Sequence, residues 1–164
     1  MRPLEQLLAA PRIWLIKSEP SEYSIDDLLN APDRILPWYG IRNYQARNFI
    51  RDTMEIGDAV LFYHSSCPQP GIVGFAKICS TSYIDEHQFD EKDPYYDPKS
   101  KRENPRWYSI DIQGICRVPI IELKTMRDIP RLHTMKVLQR GNRLSISPVT
   151  HEELRLLAQH FPLP

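Results

Sequence analysis

The run Ala59-Val60-Leu61-Phe62-Tyr63 constrains the fold most, because a continuous apolar stretch of this length between turn signals reads as a strand. Gly57-Asp58 precedes it as a turn, His64-Ser65-Ser66 follows it, and Pro68-Gln69-Pro70-Gly71 turns the chain back into Ile72 to Ser80. An antiparallel pair results. Gly74 inside the second run predicts a bulge or a close approach of backbone to another element. With 15 prolines against 6 glycines, the rest of the chain is expected to connect such elements through rigid, irregular loops. At 164 residues it suits one α+β domain with a real core.

Around this pair the remaining elements follow from local chemistry. Met1 to Pro11 reads as a tail with a possible helical turn at Glu5 to Ala10, so the domain is taken as 13–164 with a tail at 1–12. Ile13-Trp14-Leu15-Ile16 reads as a first buried strand that opens into the polar exit Lys17-Ser18-Glu19-Pro20. Ser24 with Asp27 has the spacing of a helix start, predicting a short helix from Ile25 to Asn30. Arg106 to Gln113 alternates as a half-buried strand, placing Trp107 on its polar face, where it could line a pocket or pack under a loop. Ile121 to Arg127 and Leu132 to Leu138 read as short helices, and Leu144 to Val149 as a last strand. Thr150-His151-Glu152-Glu153 is a capping box for a final helix that buries Leu154, Leu157 and Ala158.

Charge and cysteines exclude several function classes. Lysine plus arginine equals aspartate plus glutamate at 21 each, so no global field draws the protein onto a long polyanion. Gripping one base and a few phosphates needs only local charge. Cys67, Cys79 and Cys116 are odd in number and lack close pairing, which argues against a disulfide framework or a thiolate zinc site. No apolar run is long enough to span a bilayer, so a soluble intracellular protein is expected, cytoplasmic, or nuclear in a eukaryote.

Trp38 to Arg51 concentrates rings, amides and guanidinium groups. Trp38 and Tyr44 could stack on a planar ligand, Asn43 could read a base edge, and Arg42, Arg47 and Arg51 could meet phosphate. The same stretch also fits an amphipathic helix, with Ala46, Phe49 and Ile50 inward and arginines in water. Between Tyr83 and Pro105 a proline-broken loop carries Tyr95 and Tyr96. Near its end Lys99, Lys101, Arg102 and Arg106 form a local basic patch, which is either a phosphate contact or a solvated loop. His64, Ser65 and Cys67 invite a nucleophile-and-base reading, but neighbours on an extended segment point apart and no orienting acid is evident.

The motifs Trp-Leu-Ile-Lys-Ser-Glu-Pro, Gly-Ile-Arg-Asn-Tyr-Gln-Ala-Arg-Asn, Val-Leu-Phe-Tyr-His-Ser, Tyr-Tyr-Asp-Pro-Lys-Ser and Asn-Pro-Arg-Trp-Tyr occur in this order. Together they resemble the EVE domain family from about Ile13 to the carboxy terminus. The resemblance implies a PUA-like fold, a mixed-strand pseudo-barrel flanked by short helices and akin to YTH domains. It implies non-catalytic recognition of a modified or flipped-out base, a modified cytosine or adenine in DNA or RNA, by a monomer without metal or cofactor. Carried over by motif position, Trp14, Lys17, Ser18 and Glu19 would form one wall of the pocket, and Trp38, Gly40, Arg42 and Asn43 the opposite wall. Tyr63, His64 and Ser65 would close a third side, and Trp107 with the loop Tyr95 to Ser100 would cover the mouth. Arg47, Lys99, Lys101, Arg102 and Arg106 would meet the nucleic-acid backbone. Tyr39 departs from the family pattern, which usually has an acid there, and would either alter base preference or add a stacking surface. Two rival readings use the same pocket: a small-molecule sensor, and a nucleic-acid hydrolase with Glu19 as base assisted by Lys17 or His64.

Overall fold

Two adjacent strands that are apolar on both faces organise the molecule. The computed structural model describes residues 1–164. Strands β1 (Ile13–Ser18) and β3 (Ala59–His64) pair in parallel, from Ile13 opposite Ala59 to Ser18 opposite His64. Successive side chains on a strand point to opposite faces. Ile13, Leu15, Ala59, Leu61 and Tyr63 therefore enter one core, and Trp14, Ile16, Val60 and Phe62 enter another. This is why the run at Ala59 is continuously apolar.

The other strands are β2 (Ile35–Trp38), β4 (Gly71–Ile78), β5 (Tyr83–Ile84), β6 (Tyr108–Glu122) and β7 (Ile146–Val149). They complete a mixed seven-stranded sheet in the order β2-β6-β4-β3-β1-β7, with β5 paired to β6. Helices α1 (Pro3–Ala9), α4 (Leu123–Arg127) and α5 (His151–His160) bury Leu7, Met126, Leu154 and Leu157 in the first core. Helices α2 (Ile25–Asn30) and α3 (Tyr44–Asn48) bury Ile25, Leu28 and Ala46 in the second. The result is an α+β arrangement of mixed strands flanked by short helices. No helix is long and apolar enough to cross a membrane.

Several elements match their chemistry. The Ser24 side chain accepts from Asp27 N while Asp27 reaches back to Ser24 N, and Thr150 with Glu153 does the same at α5. Within α5 the buried set is Glu153, Leu154, Leu156 and Leu157, with Ala158 half-buried at the edge. The β3–β4 register shifts at Phe62/Tyr63, next to Gly74, and a Cβ on Gly74 would lie 2.2 Å from Ile25 Cδ1. Gly74 thus lets α2 approach β4, as Gly114 lets it approach β6.

Other elements differ from expectation for physical reasons. The residues read as a tail include α1, which docks Leu7 into the core, and Leu4 N donates to Pro164 O. Ile35 to Trp38 is a strand despite Pro37, because β2 is at the sheet's edge and proline there forfeits no ladder bond. Strand β6 runs through Pro119 to Glu122, and the helix expected from Ile121 begins only at Leu123. Pro119 is accommodated where the β4 ladder skips from Arg117 to Ile121. Leu132 to Leu138 is not one helix: two short 3-10 turns, Pro130–Leu132 and Lys136–Leu138, bury Leu132, Val137 and Leu138.

Candidate functional site

The parallel pairing of β1 with β3 brings their carboxy-terminal ends together, and the backbone there turns polar. Ser65 N donates to Ser18 O at 2.9 Å, and Lys17 N donates to Ser145 O at 2.8 Å. A pocket of about 650 Å³ opens at this edge. Its serine side is built from Lys17, Ser18, Ser65, Ser66, Arg143 and Ser145. Across from it, Trp38, Tyr39, Gly40, Ile41 and Arg42 follow the end of β2, and Glu19, Glu22, Tyr23 and Tyr95 complete the lining with Pro37.

The aromatic lining is braced from behind. Trp38 is 6% exposed and packs edge-on against Phe62 at 5.7 Å and tilted against Tyr23 at 6.1 Å. Tyr39 stacks on His87 at 3.8 Å with rings 11° from parallel, meets Tyr95 edge-on, and shares a 3.2 Å hydroxyl contact with Tyr23. That hydrogen bond, aided by burial, pushes the Tyr39 phenol up to about 12, so it presents a neutral hydroxyl. Tyr95 lies over Gly40, where a Cβ would come within 2.8 Å of its ring, and its hydroxyl reaches the Glu22 carboxylate at 3.3 Å. Gly40 at φ +80° is therefore required twice, for its backbone shape and for the ring above it.

A buried carboxylate ties these parts together. Asp85 Oδ2 accepts from Gly40 N at 2.9 Å and from Arg42 Nη1 at 3.0 Å, while its Oδ1 accepts from His87 N at 2.8 Å. Arg42 also donates through Nε and Nη2 to Tyr95 O, at 3.1 and 2.8 Å, and through Nη1 to Ile41 O. Most of its donors are thus taken, and it fastens the Tyr95 loop to the β2 exit. His87 Nδ1 contacts Asp93 at 2.6 Å, which holds the Asp93 carboxyl below the usual carboxylate range. Behind the loop, buried Gln88 donates to Asp85 O and Trp107 O and accepts from Ser100 Oγ, Arg106 N and Trp107 N. The long loop is ordered by this network.

Of the residues named from sequence, Lys17, Ser18, Glu19, Trp38, Tyr39, Gly40, Arg42, Ser65 and Tyr95 line the pocket, and the others lie elsewhere. Trp14 is 2% exposed, packs on Phe49, and donates Nε1 to the buried Asp58 at 3.0 Å, so it is a core residue. Tyr63 points into the opposite core, where burial pushes its phenol up to about 12. His64 Nε2 accepts from Ile25 N at 3.0 Å, capping α2, and burial holds its pKa below the ordinary value. Asn43 caps α3 by accepting from Ala46 N at 3.0 Å.

Trp107 is 4% exposed because Tyr44 stacks on it at 4.9 Å and its Nε1 donates to Asp97 at 2.7 Å. Only Tyr95 of the covering loop reaches the pocket. Arg47 donates to Arg106 O and Asn48, Arg102 pairs with Glu86, and Arg106 sits 3.9 Å from Asp97, while Lys99 and Lys101 are exposed.

Sequence reasoning missed Tyr23, Glu22, Arg143 and Asp85. Tyr23 follows the Ser-Glu-Pro exit closely enough to have been considered with it. Asp85, by contrast, gains its role only through contacts more than 40 positions away. Which pocket groups are free for a ligand also follows from the geometry. Arg42 is paired with Asp85, whereas Lys17 and Arg143 have no carboxylate partner. Burial lowers the Lys17 pKa.

Fold and site together define a class: a PUA-like α+β domain whose sheet edge carries an aromatic-walled pocket with a polar serine side. A profile of the EVE domain matches residues 12–160, and the chain belongs to that family. Thymocyte nuclear protein 1 of Gallus gallus is 44% identical, aligned over 85% of this chain and 64% of its own length. The Homo sapiens protein of that name is 41% identical over 85% of this chain and 69% of its own. This chain therefore spans about two thirds of these relatives, and slightly less of the chicken protein.

Among solved structures, a Pseudomonas syringae protein superposes with a TM-score of 0.83 at 41% identity, covering 90% of this chain and 98% of that one. The human THYN1 protein in complex with DNA containing 5-methylcytosine superposes with a TM-score of 0.85 at 38% identity, covering 91% and 96%.

Proposed function

We propose that this domain is a non-catalytic reader that takes a modified, flipped-out base of a nucleic acid into the pocket between the serine side and the β2 exit. The observation that carries this reading is the lining. Trp38, Tyr23, Tyr39 and Tyr95 offer ring surface, and Lys17 and Arg143, neither with a carboxylate partner, line the same pocket, the Lys17 ammonium 6.0 Å from the Tyr63 ring. At about 650 Å³ the space falls within the range of about 300–1,000 Å³ common for small-ligand sites. A base would lie against the rings, the Glu19 carboxylate and Ser65 hydroxyl would meet its polar edge, and Lys17 with Arg143 would hold its phosphate.

Pro37 and Ile41 supply apolar surface for a small substituent such as a 5-methyl group. Because the human family member has been seen in complex with DNA containing 5-methylcytosine, the reading takes modified cytosine in DNA as the first ligand to test. The hydrolase reading loses one of its two assisting groups, because His64 is engaged with Ile25 N, and keeps only Lys17 beside Glu19 in the pocket.

A base must leave its stack to enter, which costs a few kcal/mol and least in single strands or weakened pairs. Few phosphates are gripped, in keeping with equal numbers of acidic and basic residues, so the dependence of affinity on salt should be shallow. Anisotropy titrations with labelled oligonucleotides carrying 5-methylcytosine, 5-hydroxymethylcytosine, N6-methyladenine or no modification, in single and double strands, test the reading. Tighter binding of one modified strand, with the preference lost in Tyr95→Ala, is expected. Equal weak binding to all of them would overturn it. A nucleoside or metabolite retained through purification would then favour the small-molecule sensor.

A further inference from the structure

Tyr44 is anomalous: at 51% it is one of the most exposed large apolar side chains, yet its ring is held rigidly. One face lies on Trp107, with centroids 4.9 Å apart and rings 25° from parallel. Arg47 lies 4.9 Å from the Tyr44 centroid and 5.9 Å from that of Trp107. Because the two rings are themselves 4.9 Å apart, these distances place the guanidinium beside the pair and not on Tyr44's outer face. Arg106 Nη1 donates to the Tyr44 hydroxyl at 3.4 Å, again at the rim. The outer face is left open.

Trp107 is anchored in turn by Asp97, whose carboxyl stays below its usual range. Burial opposes this lowering, and the bonds from Trp107 Nε1 and Lys99 N together with the Arg106 and Arg42 charges outweigh it. Arg42 links this stack to the pocket: the residue lines the pocket and its guanidinium sits 5.4 Å from the Trp107 ring. An exposed ring backed by a buried ring and edged by two guanidinium groups has the composition of a base-stacking platform in single-strand binding. A core-packing role does not account for it, since nothing in the protein covers the outer face.

We infer that the outer face of Tyr44 is a second nucleobase site, which stacks an unpaired base neighbouring the one in the pocket while Arg47 and Arg106 face the intervening phosphate. This inference rests on the pocket reading above. It commits that reading to a ligand longer than one nucleotide and to a strand that is locally unpaired.

The test uses the full chain and single strands carrying 5-methylcytosine, with 2-aminopurine placed in turn at each flanking position. The 5-methylcytidine monophosphate, too short to span both sites, is the reference. In the unmodified protein one 2-aminopurine position should be quenched. In Tyr44→Ala that quenching should vanish, and the ratio of oligonucleotide to mononucleotide affinity should fall about tenfold. Tyr44→Phe, which keeps the ring and loses only the hydroxyl, should retain both signals. Thermal melts of each variant report folding separately, and Tyr44 is exposed enough for Ala to be tolerated. If the protein binds the modified strand while Tyr44→Ala leaves quenching and ratio unchanged, the platform is refuted and the pocket reading stands. If the protein binds none of these strands, both fall.

Discussion

Replacing Asp85 by Ala should loosen the site and destabilise the fold by about 3 kcal/mol. The Asp85 side chain is fully buried and accepts three donors, from Gly40 N, Arg42 Nη1 and His87 N. Removing one partner of a buried charge pair typically costs about 3–5 kcal/mol. The lower end applies, because the Arg42 side chain is 22% exposed and keeps its bonds to Tyr95 O and Ile41 O. The two orphaned backbone N–H groups add to the loss, and water entering the vacated space returns part of it. Asp85→Asn retains the shape and an acceptor, so about 1–2 kcal/mol is expected. Urea unfolding measures both. With an m value of about 2 kcal/mol/M, the Ala variant should shift the midpoint by about 1.5 M without changing m. A domain of this size is typically stable by about 5–15 kcal/mol, so the variant should remain folded for binding assays and should bind the preferred oligonucleotide less well. A loss under about 1 kcal/mol for Ala, or equal losses for Ala and Asn, would refute the assignment of Asp85 as the charged centre of the site.

Trp14→Phe should cost about 1–3 kcal/mol in denaturant unfolding, because the buried Asp58 loses the Nε1–H donor, yet oligonucleotide affinity should hold. A selective loss of binding would return Trp14 to the pocket. Gly40→Ala forces a side chain into the Tyr95 ring at 2.8 Å and into φ +80°. Backbone strain alone is about 1–2 kcal/mol, and the displaced ring should weaken binding further, so unchanged affinity would count against Tyr95 as a wall. His64 carries a pH dependence. Its folded pKa lies below its ordinary value of 6.5, so the unfolded chain takes up the proton first as pH falls. The stability is fully present above about pH 6.5 and is lost as pH falls through the folded value, when the acceptor for Ile25 N is protonated. Melting curves from about pH 7.5 down to about pH 5 should show this slope, and His64→Gln, which retains an acceptor, should flatten it.

What the chain declares by itself is whatever depends on neighbours in sequence. The apolar run Ala59 to Tyr63 and the capping pairs Ser24/Asp27 and Thr150/Glu153 are set by side-chain periodicity and local hydrogen bonds, and all were legible. The ordered motifs identified the EVE family for the same reason, since they are contiguous. The polar exit Lys17-Ser18-Glu19 stood out as a strand end, where functional groups gather, but only the family resemblance set it opposite Trp38, Gly40 and Arg42, with which it lines one pocket.

Which members of those motifs face the pocket was decided only by tertiary packing. Trp14 and Lys17 leave the same strand towards different surroundings, and a rich motif cannot say which of its aromatics a core will claim. The register of β1 against β3, the passage of β6 through Pro119 and the docking of α1 are long-range outcomes. So is the role of Asp85, an ordinary acid in a charged loop until the fold buries it against Gly40 and Arg42, more than 40 positions away. A buried carboxylate is held in place by donors from distant segments, and only the closed fold brings those donors within hydrogen-bonding distance.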